Sequence, residues 1–300
     1  MLLAVYVFLL LFLFPSDAFA FGPCVHLNLA SSVIAQALSL GLPCALIILK
    51  NQKAFFLGNL DPDRVILKNL ASYKDHSHNW QRAMKNLREV KKESEKALML
   101  GYLCHLAADV VAHNYFVPYK MVEFYGYPLA RHVYWEMRLD AMVASMFNVH
   151  SRDLGLNDRK HILELKRFVP THLFKPAINY KITGAILKIG DLYASSKMGR
   201  LWTERSSLGI SEEEKGEVLR LALSAQISVL RALEHAKVTS LDPRGIHALK
   251  TALRMRAEFR RASLRRKDAC DRARSMFLKP ISLALGTDVM DYTLIQLKEA

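Results

Sequence analysis

Gly101-Tyr-Leu-Cys-His-Leu-Ala-Ala-Asp-Val-Val-Ala-His113 carries ionisable groups at His105, Asp109 and His113, every fourth residue, with small or aliphatic residues between them. On a helix of 3.6 residues per turn these three project from one face over two turns, and their apolar surroundings predict a helix buried among others. Three ionisable groups converging in such a place carry a heavy desolvation cost unless a cation sits between them. The spacing returns at His132-Val-Tyr-Trp-Glu136, with Asp140 one turn further on. Nitrogen and oxygen donors without thiolate, drawn from two buried helices, suit a catalytic zinc ion better than a structural one.

Outward from this stretch the helical period continues through residues 27–40, 80–115, 129–147, 158–168, 175–197, 211–236 and 244–275, and no segment alternates with period two. Gly41-Leu42-Pro43 stops the first of these helices. Ser211 followed by Glu212, Glu213 and Glu214 is a good N-cap with acids where the helix dipole favours them. The expected fold is therefore all-α, a multi-helix bundle around a buried metal site with a helical C-terminal extension. The apolar stretch from Leu38 to Leu49 is too short to span a bilayer and reads as core. With 51% hydrophobic and 23% charged residues, the 300-residue chain can bury a large core, which excludes disordered and collagen-like classes. Its 13 Gly and 10 Pro argue against a turn-rich sandwich or propeller. Four cysteines, Cys24, Cys44, Cys104 and Cys270, have no CxxC rhythm and do not make a disulfide knot.

From Leu2 to Phe14 the chain is uninterrupted apolar sequence, broken by Pro15-Ser16 and followed by the small-x-small pattern Ala18-Phe19-Ala20. This predicts a signal peptide over residues 1–20 and an exported protein, periplasmic or secreted; an uncleaved anchor is the alternative. A cluster of Ser151, Asp153, Gly155 and Asn157 places a boundary near residue 150, dividing a metal-bearing region, 21–150, from a basic helical region, 151–300. The net charge of +14 calls for an anionic partner. Between Arg244 and Lys279 the residues Arg254, Arg256, Arg260, Arg261, Arg265, Arg266, Lys267, Arg272 and Arg274 interleave with Leu249, Leu253, Ala257, Leu264 and Phe277. That pattern predicts an amphipathic helix with a cationic outer face, suited to an anionic membrane surface.

Taken in chain order, Val25-His26-Leu27, Gly58-Asn-Leu-Asp-Pro-Asp63, Ser77-His78-Asn79-Trp80, His105-x-x-x-Asp109 and His132-x-x-x-Glu136 resemble the zinc-dependent phospholipases C. That family shares a helical fold and a trinuclear zinc site with the S1/P1 nucleases. The resemblance covers residues 21 to about 140 and implies up to three Zn²⁺ ions. One would be held by Asp63, His78, His105 and Asp109. A second would use the amine and carbonyl of Phe21, once freed by cleavage, with His26 and with Asp109 as a bridge. The third would use His132, Glu136 and another histidine. His113 is the candidate, four residues after Asp109 where the family's short enzymes have six. Asp61 and His76 are close alternatives to Asp63 and His78.

The chemistry so implied is hydrolysis of a phospholipid head group by attack of a metal-activated hydroxide on phosphorus, with Asp63 as the catalytic residue that orients or deprotonates the water. An S1/P1-like nuclease or nucleotidase acting on nucleic acid is the alternative within the enzyme class. Tyr115, Phe116, Tyr119, Phe124, Tyr125, Tyr127, Tyr134 and Trp135 stand ready either to stack bases or to fill core. A third reading is a non-catalytic, zinc-stabilised envelope protein that binds anionic membranes.

Overall fold

The computed structural model describes residues 21–64, 76–128, 132–144 and 208–286. The expected signal peptide, the helices expected over 158–168 and 175–197 and the boundary expected near residue 150 lie outside them. Among the described residues the regular structure is entirely helical, without strands. In chain order the helices are α1 (Pro23–Gln36), α2 (Ala45–Lys50), α3 (Gln52–Gly58), α4 (Trp80–Glu89), α5 (Glu93–Val111), α6 (Val117–Glu123), α7 (His132–Ala144), α8 (Glu212–Ala232), α9 (Ile246–Arg261) and α10 (Arg266–Leu285).

Helix α5 is the axis of the bundle. Every residue from Ala97 to Val111 is buried, as befits a helix with no polar face to offer water. It packs against α3, α4 and α8 and also touches α1 and α2. The approach of α3 is unusually close, because a Cβ on Gly101 would run into the Phe55 carbonyl and one on Gly58 into the Leu98 carbonyl. These two glycines let backbone meet backbone. In consequence Asn59 and the 3₁₀ turn Asp61–Arg64 lie directly over α5.

The helix expected over 80–115 is divided. Helix α4 ends at Glu89, Val90 and Lys92 take extended backbone, and α5 restarts with Glu93 and Glu95 in its first turn. Past Val111 the chain winds into one π-helical turn, Ala112–Phe116, before α6. Pro118 sits in the first turn of α6 and has no N–H for the carbonyl of Asn114, so an unbroken α-helix would leave that carbonyl without its partner. Ser211 caps α8 as the sequence predicts, in a reciprocal capping box with Glu214. The helix expected over 244–275 is also two, α9 and α10, parted where Ser263 turns left-handed at φ 46°.

Both α9 and α10 pack on α6, the element that follows the π turn. Lys120 of α6 is 1% exposed, with Nζ 2.5 Å from Glu123 Oε2 and 3.0 Å from Glu214 Oε1 of α8. The rings of Phe124 and Trp135 lie 5.1 and 5.2 Å from the same nitrogen. Glu123 also receives Arg266 of α10, so a buried cation is paired on two sides and ties three helices together.

The cationic outer face predicted for Arg244–Lys279 is exposed apart from Arg256, although several of its arginines also bond back to the bundle. Arg256 is buried and donates to the carbonyls of Met121 (2.5 Å) and Tyr127 (2.9 Å), while Arg260 donates to that of Tyr125 (2.8 Å). Arg266 and Arg274 pair with Glu123 and Glu217. Helical period alone cannot separate an arginine that reaches back to a neighbouring carbonyl from one that faces water. The stretch Leu38–Leu49 is likewise mixed: Leu42, Cys44, Ala45 and Ile48 are core, but Leu38 and Leu46 are exposed. Of the eight aromatic residues between Tyr115 and Trp135, six are buried and only Tyr127 is largely exposed, so most of them are core. All four cysteines are free thiols. Among the described residues no helix is long and apolar enough to cross a membrane.

Candidate metal centre

Six segments deliver the ionisable groups. Helix α1 brings His26, and its amino end is held by Asp140 of α7, whose Oδ1 accepts from the Val25 N–H at 2.9 Å. Asp140 is therefore a cap for α1 rather than a third member of the His132–Glu136 face, and burial pushes its carboxyl up to about 6. The 3₁₀ turn after α3 brings Asp63. The segment before α4 brings His78, and each of its neighbours has a task. Asn79 caps α4 by accepting from the Arg82 N–H, the His78 N–H donates to His76 Nδ1 at 3.0 Å, and the Ser77 carbonyl accepts from the Tyr102 hydroxyl at 2.6 Å. Helix α5 supplies His105 and Asp109, the π turn His113, and α7 His132 and Glu136.

These side chains converge as three groups: His26, His105 and Asp109; Asp63, His78 and His105; and His113, His132 and Glu136. Within each group one donor atom per residue lies within 4.8 Å of the others. Asp109 faces two ways. Its Oδ1 is 3.4 Å from His26 Nε2, while its Oδ2 is 2.8 Å from His78 Nε2 and 3.1 Å from His105 Nε2. Asp63 Oδ1 stands 3.4 Å from His78 Nε2 and 3.8 Å from His105 Nε2, and with 16% of its side chain exposed it is the most open carboxylate of the cluster. Asp61 and His76 are buried but belong to none of the three groups.

Proton bookkeeping shows what these groups are built to hold. His105 Nδ1 lies 2.8 Å from the Asn59 carbonyl and His113 Nδ1 lies 2.6 Å from the Pro243 carbonyl. A carbonyl only accepts, so each Nδ1 carries a hydrogen, and in the neutral ring each Nε2 is left as a bare lone pair. His105 Nε2 then points at Asp109 Oδ2, acceptor against acceptor, with His78 Nε2 3.2 Å away. The Asp109 oxygens and both Glu136 oxygens are buried and receive no well-directed hydrogen bond, although imidazole nitrogens stand close by. Such an array is repulsive until a cation or shared protons fill it.

The ionisation equilibria carry the same message. Burial, assisted by the charge of His105, lowers the His26 pKa and so favours the neutral ring that a ligand must present. Burial pulls His105 down as well, but Asp109 and Asp63 outweigh it and the net shift is upward. For Asp109 burial opposes ionisation, yet the charge of His105 and the imidazoles around it hold the carboxyl well below the usual range. Burial pushes Glu136 up to about 8. A divalent cation would stabilise the carboxylate form at each of these positions. Imidazole and carboxylate donors, with the far nitrogens of His105 and His113 fixed by carbonyls, are the donor set and outer support that zinc uses.

A sequence profile of the family described as zinc dependent phospholipase C matches residues 25–189, more than half of the chain. The chain belongs to the zinc dependent phospholipase C family. It is thus a zinc hydrolase by family, and the match continues into residues 151–189, beyond the motifs that carry the resemblance. Comparison with curated proteins and with solved structures gives no match. Three groups of His, Asp and Glu that could hold a metal ion accordingly stand in a member of the zinc dependent phospholipases C whose described residues are all helical or irregular.

His113 reaches its group by a route that the sequence did not indicate. Simple α-helix would have set it on the face of His105 and Asp109, whereas it sits in the π turn with Nε2 3.4 Å from Glu136 Oε1 and its ring 4.9 Å from that of His132. His113→Ala is therefore expected to lower bound zinc by about one ion per chain and spare the rest, which metal analysis after dialysis measures; an unchanged zinc content would remove His113 from the ligand set. The groups missed in sequence were backbone carbonyls. Asn59 lies inside a recognisable motif, but nothing in the residue types marks Pro243 as a partner of His113.

Proposed function

We propose that this protein is an exported phosphodiesterase that removes head groups from phospholipids, using up to three zinc ions held by the three groups. The division of Asp109 between His26 on one side and His78 and His105 on the other carries this reading, because a carboxylate so placed can bridge two ions. Asp63, His78, His105 and Asp109 would hold one ion, His26 and Asp109 a second, and His113, His132 and Glu136 a third. Zinc there would supply Lewis acidity toward phosphoryl oxygens and acidify water at neutral pH.

The chain's own groups do the rest. Asp63, the most open carboxylate, is placed to orient the attacking water and take its proton at Oδ1 or Oδ2. Asn59, Pro243 and Ser77 keep the imidazoles oriented through Nδ1, so the donor atoms need no rearrangement during turnover. Phe21 is buried with its ring 6.2 Å from that of His26, and cleavage after Ala20 would free its amine beside the second ion. Amino-terminal sequencing of the mature protein from its producing cells tests that cleavage; Met1 at the start would rule it out. Purified protein assayed on phospholipid vesicles and on single-stranded DNA tests the substrate class. Release of phosphorylated head group is expected, and turnover of DNA alone would establish the nuclease instead. The burial of six of the eight aromatic residues favours lipid, since it leaves few rings for base stacking.

The membrane-facing part of the proposal rests on one face of α9, where Lys250, Leu253, Arg254 and Arg261 are all exposed. Replacing Lys250, Arg254 and Arg261 by Gln should weaken adsorption to anionic vesicles by up to about 1 kcal/mol per charge and leave hydrolysis of a soluble phosphodiester unchanged. Sedimentation with vesicles reads the first and a chromogenic substrate the second. Equal loss on both would place these residues in the fold.

A further inference from the structure

The turn Leu241–Gly245 lies outside the family match, yet it is fastened to the metal-bearing elements at three points. Trp80 donates its indole N–H to the Leu241 carbonyl at 3.0 Å. The Asn114 side-chain amide donates to the Asp242 carbonyl at 2.9 Å and to the Val110 carbonyl at 3.0 Å, bridging the turn to the end of α5. His113 Nδ1 donates to the Pro243 carbonyl at 2.6 Å. Asp242 in turn shapes the turn itself, its Oδ1 accepting from the Arg244 N–H at 3.1 Å. Gly245 closes it at φ 54°, and any Cβ there would meet the carbonyl and Cβ of His113. No larger residue fits between the turn and the ligand.

We infer that the Leu241–Gly245 turn is a positioning element of the third metal group: a segment of the C-terminal region that fixes His113 in the Nδ1–H form and aims its Nε2 at Glu136. This rests on the zinc reading given above. An acceptor behind a ligating imidazole orients the ring and raises its basicity, and removing such a partner costs about 10- to 100-fold in metal affinity. Because His113 stands in a π turn rather than in regular helix, its direction is not set by α5 alone, and the turn supplies what is missing. The carbonyl belongs to residue 243 and the ligand to residue 113, so His113 is held in place only when the C-terminal region is docked.

The experiment titrates zinc per chain against a buffered free-zinc series in the full-length wild type, in Gly245→Ala and in Asn114→Ala. Wild type is expected to bind in resolved steps. In Gly245→Ala the step that His113→Ala abolishes should move to 10- to 100-fold higher free zinc while the other steps hold their place, and Asn114→Ala should move it the same way by less. A role confined to stability would weaken all steps together, and that outcome overturns the proposal, as does coincidence of both variants with wild type. If Gly245→Ala fails to fold, the Asn114→Ala titration decides by the same criterion. A wild type lacking the step that depends on His113 would instead show that the third zinc site itself is wrong, which is told apart from failure of the turn by the wild-type curve alone.

Discussion

Asp109→Asn is expected to remove more zinc and more activity than loss of any ligand that serves one group. The substitution keeps size and shape but replaces a charge that faces three imidazole nitrogens within 3.4 Å. An amide presents one neutral oxygen and one NH₂, so it can favour at most one side of the pair and repels a cation on the other. The expected loss is up to two zinc ions per chain and at least about a hundredfold in hydrolysis, since perturbing groups behind the ligands alone costs up to about that much. Stability separates this from simple misfolding. The depressed pKa of Asp109 means that its imidazole neighbours already stabilise the carboxylate in the metal-free protein, so the variant should melt lower than wild type in chelator, still in one cooperative transition, and gain far less on adding zinc. Metal analysis, a phosphodiester assay and paired melts with and without chelator check all three. Full zinc content with near-native rates would end the bridging assignment.

The second large effect is on packing. Replacing glycine by alanine inside a helix ordinarily gains up to about 1 kcal/mol. At Gly101 the sign should reverse, because the new methyl would run into the Phe55 carbonyl and the backbone of Asn59, neither of which is the flexible end of a side chain. Overpacking against backbone costs about 1–3 kcal/mol, so a net loss of about 2 kcal/mol is expected by urea denaturation. The displaced strand of contact is the one that sets Asn59 behind His105 and Asp63 in front of it. Zinc should therefore weaken at the Asp63, His78 and His105 group while the His113 group keeps its affinity. A Gly101→Ala protein as stable as wild type would mean that α3 can retreat without cost.

The parts of the site legible in sequence are those spaced by a helix or held in a short motif. His105 and Asp109, and His132 and Glu136, sit four apart on α5 and α7, and the fourfold spacing alone put each pair on one face. Asp63 and His78 were separable from Asp61 and His76 only by their motif context, because each pair is two residues of one type two positions apart. What the residues did not disclose depends on the path of the backbone. The π turn falls where a proline four residues on would deny the Asn114 carbonyl its α-helical partner, a local conflict that hydrophobic period does not register. The division of 80–115 at Val90–Lys92 is similar, since the apolar pattern runs through the break. The inward turn of Arg256 depends on carbonyls of Met121 and Tyr127, more than 120 residues away in the chain. All-helical class was readable because it needs only periodicity; partner choice was not, because it needs the fold.

Lys120 has a consequence for reactivity. An amine must lose its proton and meet solvent to be acylated, and this one is 1% exposed, clasped by Glu123 and Glu214 and roofed by Phe124 and Trp135. Its acetylation by an amine-directed reagent must wait for α6 to part from α8 and α10, so the labelling rate at this one lysine becomes a clock for that opening event. Surface lysines such as Lys85, 70% exposed, would be modified at once and serve as the internal standard. A digest followed over time would then time the excursions of the C-terminal helices from the bundle, residue by residue, in a protein otherwise at rest.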